Sequence, residues 1–189
     1  MSLYSIAVFL HIVGALGIFA AIGIEWTGLT NLRRAAGTTQ VREWFRLLAA
    51  PRTIGGPSAL LILASGIYMS ATRWGPQAWI LVALGGMVVV AAVGGAVGGR
   101  RAAAIARALP AEAGPVSPTL RQKLDDPALT VSLWTRSALL LGIVFLMSVR
   151  PGWGGALAVM GIALLLGIAA SRPALGASRR AAQVARSER

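Results

Sequence analysis

The sequence predicts an all-α polytopic transmembrane helix bundle of five spans. Three observations predict it: five long apolar stretches, arginines gathered in the segments between them, and tryptophans at the boundaries. Of 189 residues 56% are hydrophobic and 13% charged, a balance too apolar for a soluble domain of this size. A spanning helix needs about 20 mostly apolar residues, because hydrocarbon cannot pair with backbone N–H and C=O groups.

The first span covers about residues 4–25, with Ser5 and His11 its only polar interruptions before Glu25. Met1 to Ser5 hold no Lys or Arg, and the apolar run is long, which is unlike a cleaved leader. The second span covers about 57–72 and closes at Arg73 and Trp74; the third covers about 79–98 and is stopped by Arg100 and Arg101. Gly75 and Pro76 break the chain between these two, which predicts an antiparallel hairpin. The fourth and fifth, about 131–149 and 155–171, flank the turn Arg150-Pro151-Gly152-Trp153 and form a second hairpin. The whole chain, 1–189, reads as a single transmembrane domain with no convincing internal repeat.

Orientation follows from the basic residues, because short loops rich in Lys and Arg stay on the cytoplasmic side. Segments 26–56, 99–130 and 172–189 carry five each, the alternate connections only Arg73 and Arg150, and Arg136 lies just inside the fourth span. All three basic segments share a side only if the N-terminus is outside and the C-terminus inside. The tryptophans agree with this placement: Trp26, Trp44 and Trp134 fall near the cytoplasmic face, and Trp74, Trp79 and Trp153 near the outer one.

Between the first two spans, Val41, Trp44, Phe45 and Leu48 recur at helical spacing opposite Arg42, Glu43 and Arg46. They predict an interfacial amphipathic helix over about 38–50, ended by Pro51. Prolines 110, 115 and 118 predict a mobile loop before the fourth span, with Asp125 and Asp126 capping the approach to it. The basic tail 172–189 is expected to lie on anionic headgroups.

The net charge of +12 is spread between apolar runs and does not form one exposed face, so it reads as membrane orientation and not as nucleic-acid binding. Seventeen Arg against one Lys, with abundant Ala and Gly, point to a GC-rich bacterial genome and so to a bacterial cytoplasmic membrane. The absence of cysteine excludes disulfides, thiolate metal sites and a cysteine nucleophile within the chain.

His11 is the only histidine. It lies about 10 Å of helix rise below the outer end of the first span, a depth at which an ionisable group is a functional candidate by default. It shares a stripe of small or polar residues with Ala7, Gly14, Ile18, Ala21 and Glu25 that should face protein. Neutral imidazole there either bonds a neighbouring helix or serves as a metal or haem ligand. Met69, Met87, Met147 and Met160 fall in the outer half or near the midplane; thioethers with imidazole suit Cu(I) or a His/Met haem, and equally fill gaps between apolar helices. Ser58, Ser65, Met69 and Thr72 share one face of the second span, with Ser65 and Met69 bracketing the depth of His11. Hydroxyls so placed either glue helices together or line a pocket. Gly94 with Gly98 and Gly95 with Gly99 form GxxxG spacings that mean close backbone approach. Glu25 and Arg136 lie at the same boundary and either pair or snorkel to water. No nucleophile–base or carboxylate pair accompanies these residues, so hydrolase chemistry has no support.

Phe9-Leu10-His11-Ile12-Val13-Gly14-Ala15, Ser65-Gly66-Ile67-Tyr68-Met69 and Phe145-Leu146-Met147-Ser148-Val149-Arg150-Pro151 together resemble a bacterial family of small integral membrane proteins of unknown function. The Leu-His of the first span is also similar to copper-resistance D-type membrane proteins and to HemJ-type protoporphyrinogen oxidases. The HemJ-type resemblance implies His11 as an axial ligand of haem b. The expectation is a non-enzymatic membrane protein that binds a small ligand or partner helices in the bilayer, as a homo-oligomer or with another membrane protein. The alternatives are a b-type haem protein working in electron transfer or porphyrin chemistry, and a metal or small-solute permease.

Overall fold

The structure, a computed structural model, describes residues 2–111 and 114–172. The tail beyond Arg172, expected on headgroups, lies outside the described residues. Helices dominate: α1 (Leu3–Arg34), α2 (Thr38–Leu47), α3 (Ala50–Met69), α4 (Ala78–Ala92), α5 (Arg100–Ala108), α6 (Pro118–Leu124), α7 (Pro127–Val149) and α8 (Trp153–Ala170). Short π-helical segments, Ser70–Trp74 and Val93–Gly99, extend α3 and α4. Five runs of helix are long and apolar enough to cross a membrane, and each takes in one of the five apolar stretches of the sequence.

The helices overrun the hydropathy boundaries. α1 continues past Glu25 to Arg34, and α3 starts at Ala50, seven residues before the expected Pro57. Hydropathy marks where side chains leave lipid, whereas the backbone ladder continues as long as its hydrogen bonds are satisfied. Pro51, expected to terminate the amphipathic helix, opens α3 instead, at a first-turn position where the missing N–H costs nothing. Pro57 sits inside α3 and deprives only the Thr53 carbonyl of a partner, beside Arg52 at the polar end.

By its contacts the chain clusters into two compact units, Met1–Gln77 with Ala113–Pro115, and Ala78–Glu112 with Val116–Arg189. In the first unit α1 packs along α3, and α2 folds back on α1. Val41 of α2 is fully buried, as its amphipathic pattern requires. Part of the proline-rich loop is anchored here and not loose: the Thr38 N–H and hydroxyl both donate to the Gly114 carbonyl, at 3.0 and 3.1 Å. Gly114 takes φ +77°, a left-handed value that suits only a residue without Cβ. Gly75 does the same at φ +65°, where the Ser70 hydroxyl and carbonyl close the end of the π-helical segment.

In the second unit α7 lies against α4 and antiparallel to α8, and α8 also touches α4. The Asp126 carboxylate caps α7 by accepting from the Ala128 N–H at 2.8 Å and pairs with Arg101 at 3.2 Å. α7 ends at Arg150, in left-handed backbone at φ 54°, and Pro151 and Gly152 complete the turn to α8. Of the two GxxxG spacings, only Gly94 and Gly98 meet α7, at Arg136 and Ser132; a Cβ on Gly95 would touch nothing. The Ser132 hydroxyl donates to the Val93 carbonyl at 3.3 Å, where the π-helical segment begins.

Large side chains such as Phe9, Leu16, Leu60, Ile67, Leu141 and Leu165 project outward, each at least 61% exposed. Contiguous apolar surface on this scale requires a hydrocarbon solvent.

Candidate functional site

The stripe expected to face protein does so: Ala7, Gly14, Ile18 and Ala21 are buried on α1, and His11 and Glu25 half-buried. Two glycines bring α1 onto α3. A Cβ on Gly14 would stand 2.9 Å from the Ser58 carbonyl oxygen and 2.8 Å from Ile62, and one on Gly17 would collide with the Ser58 hydroxyl. Backbone therefore meets backbone one to two turns below His11. That contact sets the depth at which the imidazole reaches α3.

His11 Nδ1 lies 3.1 Å from the Ile62 carbonyl oxygen and 3.1 Å from Ser65 Oγ. The tautomer follows from these partners. A carbonyl can only accept, and the buried Ser65 hydroxyl already donates one turn back to the Leu61 carbonyl. Nδ1 therefore carries the proton and donates, which leaves the lone pair on Nε2. The Nδ1–Cε1 edge of the ring lies along Gly66, whose absent Cβ would stand 3.4 Å from Cε1. Among the described residues no donor or acceptor pairs with Nε2. The site thus presents one oriented, neutral imidazole nitrogen at the edge of the α1–α3 seam, able to accept a hydrogen bond or to ligate a metal.

Of the four residues read on one face of the second span, Ser58 and Ser65 are brought to α1. The Thr72 hydroxyl instead turns back to the Tyr68 carbonyl at 2.8 Å. Met69 is half-buried one turn beyond Ser65. Above His11 the two helices are clasped by a contact that sequence reasoning missed: the Trp74 indole N–H donates to the Tyr4 hydroxyl at 3.0 Å, and the Arg73 guanidinium lies over the Tyr4 ring at 5.1 Å. Arg73 and Trp74 were visible as a boundary pair. Tyr4, at the opposite end of a different apolar run, offered no local signal of its partner.

The other three internal methionines belong to the second unit. Met87, Met147 and Met160 pack around Ala83, Ile143, Leu146 and Ala156. Met160 fills the hollows over Gly86 and Gly142, where Cβ atoms would lie 2.6 Å from its methyl and 3.3 Å from its sulfur. This is the gap-filling role of a flexible side chain. Among the described residues no three of His, Cys, Asp or Glu converge as a metal cage.

The class defined by this geometry is an all-α protein with five helices suited to a bilayer and a single oriented imidazole among them. No family model, no curated protein and no solved structure matches the chain.

Proposed function

We propose that this chain is a non-enzymatic multi-pass protein of the bacterial cytoplasmic membrane, N-terminus outside and C-terminus inside, that holds a small ligand or a partner helix in the bilayer through His11. The observation that carries this reading is the Nδ1–H bond to the Ile62 carbonyl, which orients the ring and reserves Nε2 as an acceptor. Hydrocarbon strengthens the demand for a partner, since a polar atom there finds no water. The short sequence motifs that resemble the small integral membrane family of unknown function accord with it. Mild-detergent purification of wild type and His11→Ala, followed by mass spectrometry of everything retained, tests the reading. A small molecule or membrane protein held by wild type and lost from the variant is expected; identical contents refute it. Reporter fusions near Arg100 and Arg180 test the topology and should report the same face.

A second reading, a b-type haem protein, draws on the same nitrogen. Imidazole fits one axial position, because histidine ligands to iron characteristically donate their other ring N–H to a carbonyl. Bound haem would supply a one-electron redox centre. Gly14 and Gly17 close the seam below His11, so His11 would be the residue of this seam that holds such a group. Absorbance of the purified protein, before and after haem addition, decides: a Soret band that His11→Ala abolishes supports haem, and no band or an unchanged one removes it.

A further inference from the structure

The polar end of the first unit carries a second feature. The amphipathic pattern over 38–50 predicts a helix whose apolar side lies in lipid, but the structure turns much of that side onto α1: Val41 is fully buried and Leu48 fills the hollow over Gly28. The surface left uncovered is basic. Residues 33–52 hold five arginines against one acid, Glu43, and Arg46 and Arg52 are both exposed. Among the described residues neither of these two forms an ion pair, with Glu25, Glu43 or any other acid.

Backbone geometry puts them on one face. Between α2 and α3 the ladder tightens to three-residue turns: the Ala49 N–H donates to the Arg46 carbonyl and the Arg52 N–H to the Ala49 carbonyl, each at 3.1 Å. At three residues per turn, side chains three apart eclipse, so Arg46, Ala49 and Arg52 stack, all three exposed. A continuous α-helix, at 3.6 residues per turn, would have put the two arginines about 120° apart. Their Cα atoms are separated by about 12 Å at the tighter rise, a gap that two extended arginine side chains close onto one phosphate. Ala49, with nothing beyond its Cβ, leaves the space between them open.

This stack stands at headgroup depth. On its apolar side Gly55 of α3 lies against Ala21 of α1, within the first apolar run; on its polar side Leu48 lies against Gly28, four residues or about 6 Å past Ile24, where that run ends. Arg52 falls between these levels. Phosphate is the group a bilayer presents there, and two guanidiniums favour a lipid that carries no cation of its own. We propose that Arg46 and Arg52, stacked across Ala49, seat the phosphate of one anionic phospholipid at the polar end of the α1–α3 pair. Both guanidiniums donate to its oxygens, and a zwitterionic lipid, whose ammonium offsets its phosphate, is held less well. The seat requires that the chain span a bilayer and is independent of what His11 holds.

Native mass spectrometry of the full chain, titrated in detergent with phosphatidylglycerol or phosphatidylcholine of the same acyl chains, tests the seat. Wild type should prefer phosphatidylglycerol, and millimolar inorganic phosphate should not displace it. Arg46→Gln and Arg52→Gln, both at exposed positions, should each lower that preference about fivefold, the equivalent of about 1 kcal/mol for one basic residue at the surface. Ala49→Leu keeps the charge but fills the space between the arginines, and should lower it as well. Arg107→Gln removes an exposed charge from the other unit and should leave it unaltered. An unchanged ¹⁵N spectrum of His11 shows the first unit folded in each variant. Equal retention of both lipids by wild type, displacement by inorganic phosphate, a preference untouched by the Arg46, Arg52 or Ala49 changes, or an equal fall in Arg107→Gln would each overturn the proposal.

Discussion

Replacing Gly14 with alanine adds one methyl group at the closest approach of α1 to α3. The new Cβ would stand 2.9 Å from the Ser58 carbonyl oxygen, about half an ångström inside the 3.4 Å where ordinary contact begins. Ile62 can rotate its side chain away, but the Ser58 carbonyl is backbone, so the helices must part. One turn away the His11–Ile62 bond is 3.1 Å long, and an opening of that size carries it to about 3.6 Å, beyond hydrogen-bond reach. Overpacking of this kind costs about 1–3 kcal/mol, and an interhelical hydrogen bond in a membrane protein averages about 0.6 kcal/mol. The expected loss is therefore about 1.5–3.5 kcal/mol. Thermal unfolding in detergent measures it, and ¹⁵N NMR of the single histidine reports whether Nδ1 remains the protonated nitrogen. Gly23→Ala is the control, because its Cβ would meet nothing within 4 Å, and it should cost no stability. Gly14→Ala as stable as Gly23→Ala, with His11 spectrally unchanged, would refute the close-approach reasoning.

Tyr4→Phe keeps the ring beneath Arg73 but removes the acceptor of the Trp74 indole, and should lower stability by about 1 kcal/mol with altered tryptophan fluorescence. Asp126→Ala removes both the cap of α7 and the partner of Arg101 and should cost about 1–2 kcal/mol in denaturation; Asp126→Asn keeps the cap and should recover most of it, since a partly exposed ion pair contributes little. Ser132→Ala strips the donor from the Val93 carbonyl and should speed hydrogen exchange across Val93–Gly99, leaving α8 unchanged. Met160→Ala opens the hollow over Gly86 and Gly142 and, because Met160 is only partly buried, should destabilise by about 1–3 kcal/mol, visible as a lowered Tm.

Some of the site was legible in the residues and some was not. The place of His11 along α1 and the inward stripe Ala7, Gly14, Ile18 and Ala21 came from counting along one helix, whose 3.6-residue period is a local property. The acceptors of His11 were beyond such counting, because Ile62 offers a backbone carbonyl that any residue would supply. Ser65 was singled out for its depth, but its meeting with Nδ1 depends on the register in which two helices dock. The four methionines carried no sign that Met69 would stand in one unit and the other three in the second. Gly94 and Gly95 were equivalent as letters, and only the position of α7 separates the one that packs from the one that does not.

The sequence by itself determined that there are five long apolar helices and how far along the first of them the lone imidazole lies. These follow from solvation and helical rise, which act residue by residue. Only the tertiary structure decided which faces meet: the α1–α3 seam that fixes the tautomer of His11, the Tyr4–Trp74 clasp, and the seating of Leu48 on Gly28. Those depend on side-chain volumes interlocking across helices far apart in the chain. Lipid and protein are almost equally apolar neighbours, so hydropathy alone does not distinguish a face that packs from one that is wetted by lipid.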